Sequence, residues 1–82
     1  MGFAYVLISC DLGFEEEDII SQLKTIDEVK EVQGTFGAYD IVAKIESDDV
    51  GKLRDTVNRK IRYTPRIRST LTLMVIPRQG KA

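Results

Sequence analysis

Residues 39–46 read Tyr39-Asp40-Ile41-Val42-Ala43-Lys44-Ile45-Glu46. In an extended chain Tyr39, Ile41, Ala43 and Ile45 share one face, and Asp40, Val42, Lys44 and Glu46 share the other. Alternation of this kind in β-branched residues predicts a strand. Just before it, Gly37-Ala38 is a turn, and Val29 to Phe36 is a looser β-like stretch with Gly34 inside it. Two strands this close predict a hairpin. A glycine inside a strand predicts a bulge or a close approach by another backbone.

Outward from the hairpin, the pattern changes period. Towards the C-terminus, Ser47-Asp48-Asp49 is a capping cluster. Val50, Leu53, Val57 and Ile61 then recur at helical spacing until Pro65 stops the helix. Arg66 to Ile76 reads as a last strand, with Ile67, Ser69, Leu71, Leu73 and Val75 on one face and Arg68, Thr70, Thr72, Met74 and Ile76 on the other. Towards the N-terminus, Glu15-Glu16-Glu17-Asp18 opens a helix whose acidic first turn suits the positive end of its dipole. Ile19, Ile20, Leu23 and Ile26 form its apolar stripe. Phe3 to Ser9 is a continuous apolar run, which predicts a central strand covered on both faces. The order βαββαβ is an α+β, ferredoxin-like arrangement, an antiparallel sheet with two helices on one face. Right-handed crossovers favour the strand order 4-1-3-2. Residues 1–77 form the domain, and 78–82 a frayed tail.

Two helices cover one face of a sheet. The first, third and fourth strands nevertheless carry apolar residues on both faces, which predicts a partner on the second face. The length of 82 residues points the same way. So short a chain buries roughly 60–65% of its unfolded surface and is marginal alone. Cys10 is the only cysteine and histidine is absent, which excludes an internal disulfide and leaves little for a structural zinc site. Sheet-to-sheet dimerisation is the expected remedy. No apolar run approaches a membrane span and no signal-peptide pattern is present, so a cytoplasmic setting is expected.

The net charge of −1 conceals an asymmetry. Up to Asp49 there are 12 acidic and 3 basic residues, and from Val50 onward 1 acidic and 9 basic. With Tyr63 alone interleaved among the arginines, two solvated and mutually attracting faces fit better than a nucleic-acid patch.

The absence of histidine removes the commonest general base and any Ser-His-Asp or Cys-His pairing, so no enzyme activity and no cofactor are expected. Cys10, with no nearby cation to activate it, reads as a small buried apolar residue. One constellation carries chemistry. Thr35, Phe36, Gly37, Tyr39 and Asp40 surround one turn, where Gly37 permits positive φ and exposes main-chain amides. Asp40 can meet an ammonium group and the amides a carboxylate, the two ends of an amino acid. The same residues also suit a plain hairpin turn in which Asp40 caps its own backbone. Thr70 and Thr72, on alternate positions near Met74, place two hydroxyls on one face, though threonine is also an ordinary strand former.

The segment Gly37-Ala38-Tyr39-Asp40-Ile41-Val42 resembles the signature turn of the Lrp/AsnC effector-binding domain. Ala4 to Ile8 and Arg68 to Val75 are similar to that family's first and last strands, and Ile67, Thr70 and Thr72 match its V-x-x-T-x-T pattern. The resemblance covers Phe3 to Ile76. It implies a domain that dimerises through its sheets, in some members as an octamer of four dimers, and that binds small effectors, usually amino acids, in clefts where dimers meet. Thr35 to Asp40 would line that cleft, Gly37 and Tyr39 with backbone and Asp40 with its carboxylate, while Thr70 and Thr72 add polar contacts. The family's regulators carry a helix-turn-helix domain that these residues lack. The resemblance is therefore to stand-alone effector modules, which implies either metabolite binding or co-assembly with full-length relatives, and direct DNA binding is not carried over. Where the family often has a glycine before its last strand, this chain has Pro65-Arg66.

Two other readings share the element order. A small dimeric α+β barrel enzyme would want a polar or histidine-bearing pocket. An ACT-like amino-acid-binding regulatory domain would bind near Leu12 and Gly13.

Overall fold

The computed structural model describes Gly2–Ile76. Four strands, β1 (Gly2–Cys10), β2 (Val29–Gly34), β3 (Ile41–Ser47) and β4 (Ile67–Met74), form one antiparallel sheet in the order β2-β3-β1-β4. Helix α1 (Glu16–Lys24) and helix α2 (Val50–Thr56), the latter continued by a π-helical segment (Val57–Ile61), make up the second layer. The expected βαββαβ order and strand order are both present.

The core lies between the layers. Ala4, Val6, Ile8 and Cys10 of β1 and Ile41, Ala43 and Ile45 of β3 are buried against Ile19 and Leu23 of α1 and Leu53, Val57 and Ile61 of the second helix. The alternation around Ile41 thus divides core from open face as its period requires. Asp49 caps α2, its carboxylate accepting the Gly51 N–H at 2.8 Å.

The second helix departs from the expectation of one regular α-helix. Leu53, Val57 and Ile61 recur every four residues, and each such step in an α-helix overshoots a full turn by about 40°. Widening the turn offsets that drift. Arg62 N–H donates to Val57 C=O, five residues back, at 3.0 Å, and Ile61 remains fully buried. The hydroxyl of Thr56 at the junction donates to Lys52 C=O, a side-chain bond that tends to bend helices.

β4 corrects the sequence reading of faces. Ser9 pairs with Ser69, but Cys10 pairs with Ile67. Two steps on β4 therefore match one on β1, leaving Arg68 as the extra residue of a bulge. The bulge reverses the alternation, so Ile67 packs against the core while Leu71 and Leu73 lie on the open face. β2 has its own irregularity, a register shift between Val29 and Glu31. Gly34 instead marks a close approach, by the Glu16 carboxylate of α1 and not by backbone. Several boundaries also move. β2 ends at Gly34 and β3 begins at Ile41, so Tyr39 belongs to the connecting turn, and β4 ends at Met74. The tail expected from Arg78 lies outside the described residues.

Candidate functional site

The β2–β3 connection is built by its own hydrogen bonds. Thr35 N–H donates to Asp40 C=O at 2.9 Å, and the Thr35 hydroxyl donates to Tyr39 C=O at 2.8 Å. Gly37 sits at φ 120°, which a side chain would strain. Phe36 stands fully in solvent. A benzyl group in solvent thus stands beside an exposed glycine main chain at this end of the sheet.

Asp40 is anchored where the sequence offered two other roles. Its N–H donates to Ile8 C=O, and its carboxylate Oδ2 accepts the Cys10 N–H at 2.8 Å. β3 leaves the sheet beyond Ile41, so the side chain supplies the acceptor that the departing main chain no longer offers. The other carboxylate oxygen has no protein donor among the described bonds. Beside it the Cys10 thiol is pushed up from its ordinary range, first by burial and then by the negative charges of Asp40 and Asp11, against a smaller opposing effect of Arg68. This thiol is a poor nucleophile at neutral pH.

Thr70 and Thr72 do share a face with Met74, and it is the face towards the helices. Ile8 lies between Ile41 on one side and Thr70 on the other. Thr70 is therefore at the same end of the sheet as the turn, with β1 between them and roughly 10 Å of strand spacing. Thr72 is one pleat further along and lines a cleft of about 160 Å³ with Arg54, Val57, Asn58 and Met74. Within one subunit the turn residues form one group, and the two threonines lie on the far side of β1. Sequence reasoning did not bring Arg54 and Asn58 to this cleft. Their four-residue spacing on one helix was the available signal, but which strand they face is not a local property.

The other face of the sheet is open. Phe3, Tyr5 and Leu7 of β1 are flanked by Val42 of β3 and by Leu71 and Leu73 of β4, with Tyr5, Leu71 and Leu73 each 41–49% exposed. Towards β2 the face becomes charged. Lys44 lies 5.0 Å from the centre of the Phe3 ring and 3.8 Å from Glu31. Among the described residues no helix is long and apolar enough to cross a membrane.

A compact ferredoxin-like unit with a glycine turn and an uncovered apolar sheet face has the make-up of a ligand-binding regulatory domain. This chain belongs to the Lrp/AsnC ligand binding domain family, which matches residues 4–79. It is similar to homocitrate synthase of Saccharolobus islandicus, with 34% identity over 73 residues, 89% of this chain and 16% of the enzyme. The chain thus spans under a fifth of the curated relatives it matches. The crystal structure of FFRP-DM1 superposes with a TM-score of 0.85 at 33% identity, covering 93% of this chain and 100% of that one. The feast or famine regulatory protein of M. tuberculosis, solved with L-methionine, shares the fold with a TM-score of 0.75 at 24% identity, covering 98% of this chain and 56% of that one.

Proposed function

We propose that this domain binds a small effector, an amino acid, and modulates transcription regulation through assembly, as a sheet-to-sheet dimer and in higher rings of four dimers. The observation that carries the reading is the open apolar face of Phe3, Tyr5, Leu7, Val42, Leu71 and Leu73, which the helices leave uncovered and which a second copy would cover. Thr35, Phe36, Gly37, Tyr39 and Asp40 then project from the sheet end as one group. In an assembly a second subunit closes the space above the turn, and Thr70 and Thr72 contribute from a neighbouring copy. The L-methionine bound by the M. tuberculosis relative supports an amino acid as the effector class. The domain itself is non-catalytic, acts in the cytoplasm, occupies residues 1–77 and works alongside DNA-binding relatives.

A second reading follows from the homocitrate synthase match. There a similar segment forms 16% of an enzyme, so a domain of this kind also suits effector control of a catalytic partner. A thermal-shift screen of amino acids, with mass measured by light scattering, tests the main reading. A hit that raises Tm together with a change in assembly is expected. A strict monomer at micromolar concentration that responds to no amino acid overturns it.

A further inference from the structure

We propose that the cleft between the π-helical segment and the edge strand β4 is a second binding site, for a small carboxylate with a short aliphatic body, complete within one subunit. It goes beyond the turn site and shares only Thr72 with the residues considered for it. The cleft combines Arg54, Asn58 and Thr72 with Val57 and Met74 in about 160 Å³. That is well below the roughly 300–1,000 Å³ of drug-sized cavities, so the ligand has few atoms.

Each wall follows from the local backbone. Val57 opens the π-helical segment and is buried, forming an apolar floor. Single π-helical turns are rare in α-helices and are enriched at functional sites. Arg54 and Asn58, four residues apart and both exposed, project on the same side. The ion pairs among the described residues join Lys44 to Glu31, Arg59 to Asp55 and Lys60 to Glu28, and Arg54 takes part in none of them.

The strand side is equally suited. Val75 N–H donates to Phe3 C=O, which makes the Tyr5–Leu73 pair the next hydrogen-bonded one and Val6–Thr72 a non-bonded one. The Thr72 N–H and C=O therefore point to the free edge of the sheet, while its side chain faces the helix layer. A carboxylate set here meets a guanidinium, an amide and a hydroxyl, with a main-chain N–H at the rim. Its aliphatic part lies on Val57 and Met74. A single guanidinium with apolar walls favours a monoanionic carboxylate over phosphate.

Titration of the ¹⁵N-labelled full chain with sodium isovalerate, against sodium phosphate and sodium chloride at matched ionic strength, tests the site by amide chemical shifts. Saturable shifts at Arg54, Asn58 and Thr72 with isovalerate alone are expected. Arg54→Gln should weaken binding about tenfold, the loss of one charge-assisted hydrogen bond. Arg54 is exposed, so the fold should survive, and Asn58→Leu provides an independent second variant. Equal shifts with phosphate or chloride, shifts confined to residues 35–40, no saturable shift, or unchanged affinity in both variants would each overturn the proposal. Shifts confined to residues 35–40 would leave the turn reading intact, so the two sites fail separately.

Discussion

The Asp40 carboxylate accepts the Cys10 main-chain N–H at 2.8 Å and so ties the end of β1 to the turn that leaves β3. One side chain thus serves the sheet and borders the proposed effector site. Removing its acceptor orphans a largely buried N–H, a loss of about 1–3 kcal/mol. Asp40→Ala is expected to lower stability by that amount in urea unfolding. Asp40→Asn keeps an acceptor oxygen and should lose much less. If the carboxylate also meets an ammonium group, Asp40→Asn should weaken effector binding while leaving Tm nearly unchanged, a separation that Asp40→Ala cannot provide.

Arg66 lies at φ 75°, the left-handed region, where the resembling family often has glycine. Its carbonyl accepts the Asp11 N–H at 2.8 Å, so the corner is held by a main-chain bond and not by the side chain. A side chain in this conformation costs about 1 kcal/mol or more. Arg66→Gly relieves that strain but adds freedom to the unfolded chain. The expected result is a stability equal to or up to about 1 kcal/mol above the parent, read as the urea midpoint. A marked loss would show that the arginine side chain itself matters.

On the open sheet face, Leu73 lies opposite Tyr5 and Leu71 opposite Leu7, and both leucines are about half exposed. Leu71→Arg places a charge where a second copy should pack. The charge meets solvent in the isolated subunit, so the fold should persist while light scattering reports a monomer. An unchanged oligomer would move the interface to another surface.

Among the described residues, two groups with shifted titration bear on the pH response. Glu28 is held below its ordinary carboxylate range, chiefly by the hydrogen bond from Lys60 at 3.1 Å. Its contribution is present above the unfolded value near 4.5 and is lost as pH falls through the lower folded value. Lys60→Met should flatten the acid limb of a Tm–pH curve. Cys10 is shifted the other way, upward from 9.0. Well below pH 9 the thiol is neutral in both states. As pH rises further the unfolded chain ionises first, so stability falls. A disulfide reagent should label Cys10 slowly at pH 8, and unfolding in urea should speed it sharply.

Much of this architecture was legible in short stretches of sequence. The alternation of Ile41, Ala43 and Ile45, the stripe of Ile19 and Leu23, and the Asp49 cap depend on the period of one element or on a neighbour two residues away. Such features need only local backbone geometry. The hairpin, the strand order and the surplus apolar face followed from them by general packing rules. Tertiary structure decided what depends on residues distant in the chain. The bulge at Arg68 set which face Ile67 joins, because face assignment is inherited from the register with β1. The acceptor for Cys10 N–H lies 30 residues away at Asp40, a partner no local pattern names. Thr72 meets Arg54 and Asn58 because the π-helical turn and the edge strand are packed side by side. The local periods determined the elements; the cross-strand register and the seating of the second helix determined which of their side chains meet.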